Sequence, residues 1–156
     1  MRQLHRLTMA SFVGVSSIFA INASVESARI PPLSAVLLGG NEVSETGTAN
    51  AGDPDGVGGA TVKITKLNNS QAKICFGITV AGVDKPIAAH IHKGTAGTNG
   101  PIVVNLIPPA NGFSASSGCV DVPLALGLAI QTDPLNYYVN LHTEAFPGGA
   151  VRGQLH

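Results

Sequence analysis

The residues best suited to chemistry are two histidines separated by one residue, His90 and His92, together with His142. Side chains alternate between the two faces of a β-strand, so the first two imidazoles point to the same face. His142 closes a second strand-like run, in which Val139 and Leu141 take the opposite face. Neutral imidazole is a common ligand of transition metals. The sequence therefore predicts a three-histidine metal site on the outer face of a β-sheet, where loops would cover it.

Copper is the predicted ion, because the Irving–Williams order favours it over zinc where it is available, and zinc is the alternative. A competing interpretation gives the three histidines a structural role without a bound metal ion. The three imidazoles would then hydrogen-bond to loop backbone and organise the glycine-rich turn at residues 94–101. His156 is a fourth candidate ligand, although a frayed terminal position is the simpler expectation for it.

Three polar residues lie where they would support such a site. Asn140 and Glu144 share a strand face with His142 and are predicted to support the ligands from behind. Arg152 has two interpretations, an anion guide beside the metal or a structural residue paired with an acid or with loop carbonyls. The structural interpretation is preferred, since buried arginine is usually paired.

Composition favours one β-rich domain. The chain has 156 residues, 12% charged and 4% aromatic, with 19 Gly and 10 Pro, which favours many short strands and turns over a helical bundle. The formal net charge is zero and no Lys/Arg cluster occurs. A nucleic-acid partner is therefore not expected.

The N-terminus has the pattern of a secretory signal peptide. Arg2 and Arg6 precede a mostly apolar stretch at residues 7–21, and small residues suitable for cleavage occur between positions 23 and 28. About 15 apolar residues are few for a spanning helix, which needs roughly 20. The prediction is a signal peptide at 1–28, one domain at 29–156, no membrane attachment after cleavage, and a secreted or periplasmic location.

Export makes a disulfide the default interpretation of the two cysteines, Cys75 and Cys119. A two-cysteine metal site is the alternative, but no CxxC spacing and no adjacent ligand support it.

Alternating apolar residues predict a hairpin made by residues 60–67 and 73–80, with a turn at 68–70. A second hairpin turn is expected at 52–59, after an extended run at 47–51. One helix is predicted from Asp121, as its cap, to Gln131, with Pro123 in its first turn. About eight short strands and one helix indicate an all-β, antiparallel, Greek-key-like sandwich.

Several ordered motifs together resemble the CHRD domain family, named for repeats in chordin. They are a Gly-Gly-Asn-Glu-Val opening at residues 39–43, the segment at 89–94, Asn-Gly-Pro-Ile-Val-Val at 99–104, the run at 138–143, and Pro-Gly-Gly-Ala-Val-Arg-Gly-Gln-Leu at 147–155. The resemblance extends from about Leu33 to Leu155. Ala150 departs from the acidic residue common in the family, and Ser44-Glu45 from a common proline. The resemblance implies a sandwich like that of immunoglobulins or superoxide dismutases, and implies little about activity.

The function predicted is an exported, non-catalytic CHRD-domain protein that binds a metal ion, with an extracellular protein as a further possible partner. One alternative is a copper enzyme similar to superoxide dismutase, for which the chain is short of histidines. The other is a metal-free adhesion or matrix module.

Overall fold

The structure is a computed structural model that describes residues 30–110 and 114–156. The predicted signal peptide lies outside the described residues. The described strands are β1 Leu33–Leu38, β2 Val57–Lys66, β3 Gln71–Ala81, β4 Pro86–Lys93, β5 Ile102–Leu106, β6 Ala115–Pro123, β7 Tyr137–Thr143 and β8 Val151–Gln154, with one α-helix, α1, at Leu124–Thr132.

Hydrogen bonds join all eight strands into one antiparallel sheet, in the order β5-β4-β7-β8-β1-β2-β3-β6. The two edge strands, β5 and β6, contact each other, so the sheet curls into a nearly closed barrel. The predicted all-β antiparallel fold with one short helix is confirmed. Division into the two separate sheets of a sandwich is not confirmed.

The alternation read from the sequence places the core correctly. In β3, Ile74, Phe76, Ile78 and Val80 are buried, whereas Cys75 faces outward on the other side of the strand. The predicted hairpin of β2 and β3 is present. Its turn is closed by the side chain of Asn68, whose oxygen accepts backbone N–H groups at 2.8 Å and 2.9 Å.

The second predicted hairpin is wrong in position. Residues 47–51 form no strand. Ala49 makes one isolated bridge to Val43, and β2 begins only at Val57. The strand that pairs with β2 on this side is β1, so a long connection replaces a tight turn. The Asp-Pro-Asp-Gly segment does turn, since Asp53 Oδ1 accepts the backbone N–H of Asp55 at 3.1 Å.

The helix is present but starts later than predicted. Asp121 does not cap it. The strand β6 continues through Pro123, and Asp121 lies opposite Lys73 on β3, with a nitrogen–oxygen distance of 2.6 Å. A cross-strand pair thus replaces the cap. The interior Gly127 has a packing reason, because a Cβ there would lie 2.7 Å from the Cβ of Ala72.

None of the helices in the described residues is both long and apolar enough to cross a membrane.

Candidate metal centre

Strand register places the predicted site residues in rows across β4, β7 and β8. His92 lies opposite Tyr138, and His90 lies opposite Asn140, which in turn lies opposite Arg152. The side chains of these residues leave the sheet on the face away from the apolar core, as predicted from the alternation. The register of β4 against β5 shifts between Ile91 and His92. Such bulges re-aim side chains at functional sites.

Loops cover this outer face and turn it into a second, polar interior. Arg152 and Tyr138 are 2% exposed and Asn140 is 3% exposed. Asn99, in the glycine-rich loop, donates to the carbonyls of Val43 (3.0 Å) and Ser44 (2.8 Å) in the loop after β1. The two loops therefore hold each other in place over the histidines.

The three histidines predicted as ligands lie together. One ligand atom from each of His90, His92 and His142 falls within 4.8 Å of the others. The shortest separation is 3.1 Å, between His90 Nδ1 and His142 Nε2. Two nitrogens bound tetrahedrally to one ion at zinc or copper bond lengths would lie about 3.3 Å apart, so this pair already has the spacing of neighbouring ligands.

Backbone carbonyls set the tautomers of two of these rings. His92 Nδ1 lies 2.8 Å from the Gly100 oxygen, and His142 Nδ1 lies 2.9 Å from the Pro147 oxygen. A carbonyl oxygen can only accept, so each Nδ1 carries a proton, and in the neutral imidazole it is Nε2 that has the free lone pair. Carbonyls placed behind the rings in this way are typical of metal-ligating histidines.

A cavity of about 260 Å³ borders the cluster, lined by Glu42, Val43, Glu45, His92, Asn99, Gly100, Tyr138, Asn140, His142, Pro147 and Gly148. Three buried side-chain atoms lack a hydrogen-bond partner among the described residues: Glu42 Oε1, His92 Nε2 and Asn140 Oδ1. All three residues line this one cavity. Buried polar atoms without partners are rare in folded proteins and call for a bound species. A cation suits three electron-pair donors.

Burial keeps the imidazoles in their ligand form. It lowers the pKa of His90 from 6.5 to about 4, helped by the neighbouring His142 and His92. Burial also lowers the pKa of His92, against the opposing hydrogen bond to Gly100. Both rings are therefore neutral at neutral pH, and no proton competes there with a metal ion.

The supporting residues predicted from the sequence take different places. Asn140 lines the cavity. Glu144 is exposed and is not among the lining residues.

Arg152 has the structural contacts that were preferred for it. It donates to the carbonyls of Thr95 and Thr98 and to Asn99 Oδ1 (3.1 Å). Its guanidinium also lies 3.4 Å from the centre of the Tyr138 ring, on which it stacks. No ion pair of Arg152 occurs within the described ranges.

Two site residues were missed by the sequence analysis. The ring of Tyr138 stacks on that of His92, with centroids 4.8 Å apart and planes at 8°. Its hydroxyl accepts the Gly100 N–H at 3.2 Å. Glu42 is buried and lines the same cavity as His92 and His142. Burial raises its pKa from 4.5 to about 7, against the opposing charge of Arg152. No periodicity could signal Glu42, since it lies outside the strands.

The remaining candidates lie elsewhere. His156 is outside the cluster, and its Nε2 lies 3.0 Å from Ser34 Oγ while its backbone pairs with the same residue. The predicted disulfide is present between Cys75 and Cys119, which face each other across β3 and β6.

The arrangement defines an all-β antiparallel domain with a histidine cluster under its loops. The CHRD domain model matches residues 33–155, nearly the whole chain, and the chain belongs to the CHRD domain family, an extracellular type of module. No curated protein and no solved structure matches the chain.

Proposed function

We propose that this CHRD-domain protein is exported and binds a metal ion, copper above all, through His90, His92 and His142, as a carrier or store rather than as an enzyme. The proposal rests mainly on one observation: the buried side-chain atoms without a hydrogen-bond partner belong to residues that line the same cavity. Every such buried side-chain atom in the described residues lines the cavity that the histidines border. Those atoms are electron-pair donors, and two of the three rings have their Nδ1 atoms held by carbonyls.

Binding without catalysis is supported by the composition of the site. The ligand set is three imidazoles in one cluster, which suits one copper or zinc ion. His92 is buried whereas His90 and His142 are half-buried, an exposure that would let an ion exchange with solvent, as a carrier or store requires.

Export is supported by the signal-like N-terminus and by the disulfide. It is tested by expressing the full chain with its N-terminus intact, fractionating the cells, and measuring the mass of the mature protein. A mass corresponding to cleavage between residues 23 and 28, in a non-cytoplasmic fraction, is the expected result. Full-length protein in the cytoplasm would contradict it.

Metal binding is tested by calorimetric titration of copper(II) and zinc(II) into three proteins. They are the wild type, the His90→Ala/His92→Ala/His142→Ala variant, and His156→Ala as a matched control from outside the cluster. Stoichiometric binding to the wild type and control, lost in the triple variant, is expected. Absence of binding by a folded wild type would overturn the proposal in favour of a metal-free module.

A dismutase assay on the copper-loaded wild type separates a carrier from an enzyme. We expect activity no higher than that of the triple variant supplied with the same copper. Copper-dependent dismutation that disappears with the three histidines would instead establish the enzyme.

A further inference from the structure

We infer that Glu42 supplies the anionic group beside this site, so that its carboxylate balances the charge of a divalent cation held by the three imidazoles. The inference rests on the proposed function and specifies the charge of the ion. Glu42 belongs to the loop after β1, far in sequence from the three histidines.

The side chain of Glu42 is built into the cavity. Its residue is 2% exposed, and its Oε1 atom has no hydrogen-bond partner among the described residues. It lines the same cavity as His92 and His142. A buried carboxylate oxygen without a partner is costly, which favours a bound species that satisfies it.

Two glycines make the space that the carboxyl group occupies. A Cβ on Gly149 would lie 2.5 Å from the carboxyl carbon, and a Cβ on Gly52 would lie 2.8 Å from Glu42 Cγ. Gly149 also has a φ of +137°, a backbone conformation that residues other than glycine rarely adopt. The carboxyl group therefore occupies a space that exists because Gly52 and Gly149 have no side chains.

Charge gives the reason for a carboxylate here. The buried guanidinium of Arg152 faces the same interior and makes its hydrogen bonds only with neutral groups. A divalent ion held by neutral imidazoles would add two positive charges to one that is already buried. Glu42 is the only buried acidic residue among those lining the cavity, since Glu45 is exposed.

The oxidation state of copper separates this role from a structural one. Copper(II) and zinc(II) accept carboxylate oxygen together with imidazole, whereas copper(I) is soft and binds well to neutral donors alone. Losing the carboxylate should therefore weaken binding of the divalent ions and leave copper(I) binding nearly unchanged. A merely packed glutamate would affect all three ions alike.

The test compares the wild type, Glu42→Gln and Glu45→Gln, each titrated with copper(II), zinc(II) and copper(I) in competition with chromophoric chelators. Glu45→Gln is the matched control, because it removes an exposed charge at the rim of the same cavity. We expect Glu42→Gln to lose about 10- to 100-fold in affinity for the divalent ions and less than about threefold for copper(I). Glu45→Gln should change each affinity by less than about threefold, as a solvent-exposed charge is screened.

Each outcome decides one of the two proposals. If the wild type binds but Glu42→Gln binds divalent ions equally well, the role of Glu42 is overturned and the three-histidine site stands. If a folded wild type binds no ion, the proposed function itself fails. Should Glu42→Gln not fold, infrared difference spectra of the wild type with and without zinc decide the question. A shifted carboxylate band supports the inference, and an unchanged carboxylate region overturns it.

Discussion

Glu42 shows how one buried carboxyl group couples folding to pH. Its pKa rises from 4.5 in the unfolded chain to about 7 in the fold, so the folded state binds the proton more tightly. The stability that this gives is fully present below about pH 4.5 and is lost as the pH rises through about 7. The rise is equivalent to about 3 kcal/mol as an upper figure, and the charge of Arg152 already opposes it.

Glutamine at position 42 cannot ionise, so it should remove this pH dependence. Between about pH 5 and pH 8, we expect the metal-free wild type to lose about 2–3 kcal/mol relative to Glu42→Gln in urea unfolding. His90, whose pKa falls from 6.5 to about 4, destabilises the fold as the pH drops within that range. This opposite trend is common to both proteins and cancels in the difference. Parallel pH profiles would show that Glu42 is not buried as described.

Arg152 should not be replaceable by lysine. Its guanidinium donates to two loop carbonyls and to Asn99 while stacking on Tyr138, and a single ammonium group cannot reproduce that geometry. We expect Arg152→Lys to lower the free energy of unfolding by about 2–3 kcal/mol. Urea denaturation measures the loss, and the exposed exchange Lys63→Arg should stay within about 0.5 kcal/mol. If Arg152→Lys and Lys63→Arg changed the free energy of unfolding equally, the proposed role of the Arg152 guanidinium would be contradicted.

At the scale of the elements, the disulfide fixes an edge strand. Cys75 and Cys119 join β3 to β6 across 44 positions of sequence, and β6 has a sheet neighbour on one side only. We expect Cys75→Ser/Cys119→Ser to lose about 2–4 kcal/mol of stability. Zinc affinity should be unchanged, because the histidines lie on β4 and β7, which are separated from β3 by β8, β1 and β2 in the sheet.

Reduction of the wild type with a thiol is the control, and it should reproduce the loss of stability without any substitution. A double variant as stable as the wild type would mean that the sheet alone holds β6. A parallel loss of zinc affinity would mean that the two halves of the sheet are coupled.

Alternation in the sequence was sufficient to predict which residues face the core and that the three imidazoles share the other face. It could not predict the start of α1, because the cross-strand pair of Asp121 with Lys73 competes with its use as a cap. Nor could it predict Glu42, whose burial depends on loops from distant parts of the chain meeting around it. Periodicity reports local geometry, whereas the cavity is a product of tertiary contacts.

At the scale of the whole molecule, a bound ion would connect β4, β7 and the loops that cover them. Such an ion binds the folded state and not the dispersed ligands of the unfolded chain, so it stabilises the fold by mass action. With free zinc at about 100 times the dissociation constant, we expect the free energy of unfolding to rise by about 2.7 kcal/mol. Calorimetric melting with and without zinc measures this gain. The triple-histidine variant should show no gain, and an equal gain in both would place the zinc elsewhere.

The position of β1 in the sheet has a consequence for the timing of folding. This first strand lies between β2 and β8, with Leu38 opposite Arg152, so the first and last described strands are neighbours. During synthesis, β1 cannot pair with β8 until more than a hundred further residues have been added. Sheets closed by such distant pairings fold slowly, in milliseconds to seconds. The nascent chain would thus lack a completed sheet until nearly all of its residues have been added.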